Sequence, residues 1–168
     1  AVDIKTLPYP GFPTDLQSIL GVTLTVAKGT SVIVENIFEN RYRYLNELTK
    51  MGAKSTIEGR TAVIKGVRRL SKANVRATDL RGGAAMVLAG LNAKGRTCID
   101  NIEYILRGYE KLDIKLKSLG ANIYIEEKQE DQVSEEIIVS ENNKDICNKV
   151  KKSKTKKEKT KMSFFTAL

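Results

Sequence analysis

Thr14-Asp15-Leu16-Gln17 opens an apolar run that ends at Ala27-Lys28-Gly29, and Thr78-Asp79-Leu80-Arg81 opens another that ends at Ala93-Lys94-Gly95. The echo continues downstream. Val34-Glu35-Asn36-Ile37 answers Ile99-Asp100-Asn101-Ile102, and Asn40-Arg41-Tyr42 answers Leu106-Arg107-Gly108-Tyr109. Leu48-Thr49-Lys50-Met51-Gly52-Ala53 answers Leu116-Lys117-Ser118-Leu119-Gly120-Ala121. The offset grows from 64 residues at the aspartates to 66 at the arginines and 68 at the glycines. Small loop insertions leave that drift in a duplicated unit, so two copies of one block fill most of the chain.

The first copy spans about residues 12–67. Thr14 with Gln17 three residues on has the spacing of a capping box, and Pro13 fixes the entry to the helix. Leu16, Ile19, Leu20, Leu24 and Ala27 recur at helical spacing until Gly29 stops the run. Thr30–Val34 reads as a strand and Tyr44–Met51 as a short helix. Ser55–Ile57 and Thr61–Lys65 read as a hairpin turning at Gly59-Arg60. The second copy, about residues 78–127, predicts a helix to Ala93, a strand over 96–99, a helix to Leu119 and a strand over 122–125. Its closing hairpin strand is either missing or hidden in the sequence after Glu127. The expected class is α/β (α+β), built from repeated helix-strand-helix-strand-strand units with helices packed on sheets. One such unit rarely buries its apolar faces alone, so two imply neighbours.

Hydrophobic residues make up 41% of the 168, enough for a core, and the net charge of +9 favours anionic partners. Residues 128–168 hold ten lysines against seven acids, and eight of those lysines fall within Lys149–Lys161. That composition predicts a solvated, disordered tail over 128–168. It lacks the interleaved aromatics of a nucleic-acid surface, so nucleic acid is not an expected partner. No apolar stretch approaches the roughly 20 residues a membrane span needs, and no export signal stands at the start. Cys98 and Cys147 have neither metal nor CxxC spacing, which favours a reducing, cytoplasmic setting.

There is no histidine, so proton transfer falls to Asp, Glu, Lys, Tyr or Cys. Asp15 lies in the first turn of a helix, where a carboxylate is favoured as an anion. It becomes a candidate base only if its pocket raises its pKa; otherwise it is a helix-start acid, like its repeat partner Asp79. Arg41 and Arg107 hold equivalent places between a strand and a helix, and Arg81 sits in the first turn of the second long helix. Guanidiniums beside helix starts make a phosphate or carboxylate clamp, and these three are candidates to converge on one face. The alternative is surface charge, paired with Glu39 and Glu110. Gly82-Gly83 allows either close approach of a ligand or close helix packing. Cys98 reads as core, and Cys147 has no base beside it, so neither supports covalent catalysis.

Tyr9-Pro-Gly-Phe-Pro-Thr-Asp-Leu-Gln17, Phe38-Glu-Asn-Arg-Tyr42, Ala77-Thr-Asp-Leu-Arg81, Arg107-Gly-Tyr-Glu110 and Leu119-Gly-Ala-Asn122 stand in one order. Together they resemble the C-terminal part of the UDP-N-acetylglucosamine 1-carboxyvinyltransferase family of enolpyruvyl transferases, over residues 1 to about 126. The resemblance implies two domains, each an inside-out α/β barrel of three repeated units, with residues 1–127 supplying the last two units of the second. It implies phosphoenolpyruvate and UDP-N-acetylglucosamine as substrates and no cofactor. It implies that Asp15 contacts the acceptor sugar and takes its hydroxyl proton, and that Ile37 lines the nucleotide-sugar site. By the same carry-over Arg41, Arg81 and Arg107 handle phosphoenolpyruvate or closure over it. The chemistry implied is addition of the sugar 3′-hydroxyl to phosphoenolpyruvate and then loss of phosphate, in peptidoglycan synthesis.

The family's other domain carries a lysine, an asparagine, more arginines and a loop cysteine that have no counterpart in these residues. The chain is therefore expected to be inactive alone. Three readings stay open: a portion of the carboxyvinyltransferase, a binding or split-enzyme half that pairs with a separate chain, and the shikimate-pathway transferase. The Phe-Pro-Thr-Asp-Leu-Gln and Phe-Glu-Asn-Arg-Tyr strings argue against the last.

Overall fold

The fold was obtained as a computed structural model, which describes residues 1–127 and the strand 160–164. Two four-stranded sheets hold the described chain. The first sheet contains β1 (Asp3–Lys5), β2 (Thr30–Val34), β3 (Lys54–Glu58) and β4 (Thr61–Lys65), in the order β1-β2-β4-β3. β1 runs parallel to β2, and β4 runs antiparallel to both β2 and β3. The second contains β5 (Asn74–Arg76), β6 (Thr97–Asp100), β7 (Ile123–Glu127) and β8 (Thr160–Phe164), in the order β5-β6-β8-β7 with the same directions.

The registers establish the duplication independently of sequence likeness. Ile33 pairs with Ile4 on one side and Ala62 on the other, and Ala62 also pairs with Ile57. In the second sheet Ile99 pairs with Val75 and Met162, and Met162 also pairs with Ile125. The closing strand of the second copy is therefore β8. It corrects the expected tail at 160–164: the lysine-rich composition concealed a strand that the backbone amides of β6 and β7 require as their common partner. The rest of the tail, with Cys147, lies outside the described residues.

The units also begin one strand earlier than expected, with β1 and β5. Both are three residues long with only a central side chain turned inward, too short to show a period. The connecting helices are α1 (Thr14–Thr25), α2 (Arg43–Thr49) and α3 (Leu80–Asn92), then α4 (Glu103–Leu106) and α5 (Leu112–Ser118). The single helix expected up to Leu119 is thus two. Lys111 takes a left-handed conformation at φ 50° just before α5 and breaks the run.

α1 and α3 pack on each other, and α2 and α4 flank α3. α3 is buried from Gly82 to Val87 and again at Ala89 and Gly90, nearly all round. A helix buried on every side needs small residues, and this one has them. A Cβ on Gly83 would lie 2.6 Å from Ile105 Cγ1 and 3.0 Å from Ala77 Cβ. One on Gly82 would lie 2.7 Å from Thr78 Oγ1. The Gly82-Gly83 pair is therefore a packing device rather than a ligand cradle. Strand alternation points Ala62 and Ile64 of β4 inward, into the core that also holds Leu45, Leu48 and Met51, while Val63 faces out. Cys98 is buried in β6, as expected of a core residue.

Candidate functional site

Packing α1 against α3 brings the starts of the two long helices together, one from each unit. The two aspartates that match in sequence do different work there. α3 begins one residue after Asp79, whose Oδ1 accepts hydrogen bonds from the Arg81 and Gly82 amides, both at 2.9 Å. Asp79 is an N-cap, its charge spent on orphan helix amides. α1 begins one residue before Asp15, with extended Pro13 in the capping position and no side-chain cap. The expected Thr14–Gln17 capping box is therefore absent. Thr14 instead donates its hydroxyl to Glu35 Oε2 at 2.9 Å, and Gln17 is buried. Asp15, relieved of capping, is 55% exposed and turns toward the arginines.

Arg81 Nη2 donates to Asp15 Oδ2 at 2.8 Å, and Arg81 Nη1 donates to the Tyr109 hydroxyl at 3.1 Å. Arg41 Nη2 lies 3.6 Å from Asp15 Oδ1, and Arg41 Nη1 lies 4.0 Å from Asp79 Oδ1. Arg41 therefore meets Asp15 and Asp79, not Glu39. Its guanidinium is only 6% exposed, stacks 4.1 Å above the Phe38 ring centroid, and donates from Nε to Thr14 Oγ1 at 3.3 Å. It is a desolvated cation whose terminal nitrogens approach carboxylates only loosely, the condition for accepting a stronger anion.

Arg107 stands apart. It is exposed, with its guanidinium 5.9 Å from the Tyr104 ring centroid, and it belongs to neither carboxylate's contacts among the described residues. The convergence expected of three arginines is met by two. Ile37 follows β2 at 47% exposure, and its amide is held by Glu35. Beside it an open cleft of about 290 Å³ is lined by Glu35, Phe38, Arg41, Tyr42 and Arg60 among others. Burial pushes the Tyr42 phenol up to about 12, and its hydroxyl donates toward Ile33 O at 2.8 Å and Arg60 O at 3.0 Å.

The hydrogen bond from Arg81 holds Asp15 below the ordinary carboxylate value of 3.8, against a smaller opposing effect of desolvation, with the charges of Arg81 and Arg41 adding to the depression. This is opposite to the shift that base catalysis requires. As it stands, Asp15 is a fixed anion and a poor proton acceptor. Two contributors escaped the sequence reading. Tyr109 stands in a repeat echo and in the Arg107-Gly-Tyr-Glu110 string, and neither gives it a role. Glu35 is 3% exposed, and the inward alternation of Ser31, Ile33 and Glu35 was the signal that marked it.

Residues 1–116 match the family model described as EPSP synthase (3-phosphoshikimate 1-carboxyvinyltransferase). UDP-N-acetylglucosamine 1-carboxyvinyltransferase 1 of Caldanaerobacter subterraneus subsp. tengcongensis is 61% identical over 124 residues, 74% of this chain and 30% of that protein. The UDP-N-acetylglucosamine 1-carboxyvinyltransferase of Desulfofundulus thermocisternus is 61% identical over 123 residues, 73% of this chain and 51% of that protein. The chain thus spans about a third to a half of the curated relatives it matches. Among solved structures, the enolpyruvyl transferase NikO from Streptomyces tendae superposes with a TM-score of 0.66 at 30% identity, over 71% of this chain and 28% of that one. An EPSP synthase from Acinetobacter baumannii shares the fold at 21% identity, with a TM-score of 0.54 over 66% of this chain and 26% of that one.

Proposed function

We propose, because the chain belongs to the EPSP synthase family of enolpyruvyl transferases, that it forms one wall of a UDP-N-acetylglucosamine 1-carboxyvinyltransferase active site. The reaction would move the enolpyruvyl group of phosphoenolpyruvate onto the sugar 3′-hydroxyl. It would supply cell-wall synthesis from the cytoplasm. The observation that carries this reading is the inter-unit cluster of Asp15, Arg41 and Arg81 in a chain of which 73–74% aligns at 61% identity with enzymes of that name.

The residues suit the chemistry in the following way. Phosphoenolpyruvate brings a carboxylate and a phosphate that both need neutralising, and Arg41 and Arg81 are two cations at adjacent helix starts. When the substrate anion takes Arg81, Asp15 loses the partner that depresses its pKa and becomes free to hold the sugar hydroxyl. In the addition step the sugar oxygen bonds to C2 of phosphoenolpyruvate and gives up its proton, while C3 gains a proton from an acid on the facing wall. In the second step the C2–O bond to phosphate breaks and C3 returns a proton, leaving the enol ether and inorganic phosphate. Asp15 receives the hydroxyl proton, Ile37 lines the nucleotide-sugar side, and Arg107 serves closure over the substrates. A second polypeptide region, in the same or a separate chain, supplies the facing wall.

Phosphate release tests this directly. With both substrates the chain alone should release none, and mixing it with the complementary N-terminal region of a relative should restore release. Turnover with shikimate 3-phosphate in place of the nucleotide sugar would move the assignment to the other branch of the family. Turnover by the chain alone would refute the need for a second wall.

A further inference from the structure

Glu35 is the most buried carboxylate in the first unit, and the mechanism above does not use it. It follows β2 and lies 3% exposed, with no cation within salt-bridge distance among the described residues. Hydrogen bonds from four donors compensate its charge. Thr6 Oγ1 reaches Oε1 at 2.8 Å, the Ile37 and Phe38 amides reach the same oxygen at 2.9 and 3.0 Å, and Thr14 Oγ1 reaches Oε2 at 2.9 Å. One side chain thereby ties the end of β1, the start of α1 and the turn after β2. An apolar residue at this place would leave two hydroxyls and two backbone amides without their acceptor, so the carboxylate and its four donors stand as one set.

Two of the contacts that define the pose of Arg41 lead back to this carboxylate. Thr14 gives its proton to Glu35, which turns the hydroxyl lone pairs outward, and Arg41 Nε donates to that oxygen at 3.3 Å. Phe38 carries the ring on which the guanidinium stacks, and its backbone amide is bonded to Glu35. A neutral amide at this place would offer an N–H toward Thr14 and compete with Arg41 for the same oxygen. We propose that Glu35 is a positioning residue that sets the guanidinium of Arg41 through Thr14 and the Phe38 backbone. It leaves the terminal nitrogens of Arg41 aimed past Asp15 toward an incoming phosphate or carboxylate. The catalytic consequence rests on the functional reading above; the positioning itself does not.

The test uses the whole chain, labelled with ¹⁵N-arginine. The Nε–H resonance of Arg41 reports its bond to Thr14. E35Q and T14V are each expected to shift that resonance and weaken phosphoenolpyruvate binding about tenfold, as loss of one orienting hydrogen bond to a charged group does. T14S should restore both. The two effects should not add in the double variant, because both sever one route. An Arg41 resonance unchanged in E35Q, with core methyl signals intact, overturns the proposal. If E35Q fails to fold, an unchanged resonance in T14V overturns it equally. If the wild-type chain binds no phosphoenolpyruvate, the functional reading suffers, while the resonance still decides the role of Glu35.

Discussion

Asp15 and Asp79 show how one aligned residue acquires two jobs. A shift of helix start, from one residue after the aspartate to one before it, turns a cap into a free anion. The freed carboxylate titrates abnormally, and the sign follows from its cause. Its folded pKa is lowered, chiefly by the hydrogen bond from Arg81. Its contribution to stability is then fully present above the ordinary value of 3.8 and is lost as pH falls through the lowered folded value. A ¹³C carboxyl titration should place the Asp15 midpoint below 3.8, and R81M should bring it back toward that value. A midpoint unmoved by R81M would assign the depression to Arg41 instead. With Asp15 about half exposed, the pair contributes little to folding, so R81M should leave the melting temperature nearly unchanged.

At the scale of elements, the long helices and the first hairpin were legible because their apolar spacing or turn residues dominate locally. Thr30–Val34 and Thr61–Lys65 have the expected bounds. Features that depend on distant partners were not legible. Thr14 was given to Gln17 because a cap is the nearest use for a hydroxyl, yet a buried carboxylate 21 residues away claims it. Arg41 and Arg81 were found as anion-handling candidates, but only folding shows that Arg107 stands aside from them. Gly82-Gly83 was ambiguous until Ile105 arrived against it. Its role predicts that G83A, which would add a methyl 2.6 Å from Ile105 Cγ1, destabilises the chain. The expected loss is about 1–3 kcal/mol, the range for overpacking a filled core, and chemical denaturation measures it. An unaffected midpoint would mean that α3 and α4 separate at no cost.

For the whole molecule, apolar surface remains at Leu16, Phe38, Ile114 and Leu119, which are 51%, 55%, 57% and 83% exposed. α5 has no buried residue at all. In the second sheet β7 reaches β6 only through β8. Truncation at residue 159 removes that bridge. It should increase the fluorescence of a hydrophobic dye and lose amide protection at Ile123 and Ile125, while Ile33 and Ile64 in the first sheet stay protected. Equal loss in both sheets would show that the units melt as one.

The route by which each sheet receives its middle strand sets an order of events. β4 returns to β3 across Gly59-Arg60, whereas β8 returns to β7 across residues 128–159. Contacts between strands far apart in sequence form more slowly than those between neighbours. The first sheet therefore zips early from a local nucleus, and the second latches last and unlatches first, giving one duplicated architecture two different clocks.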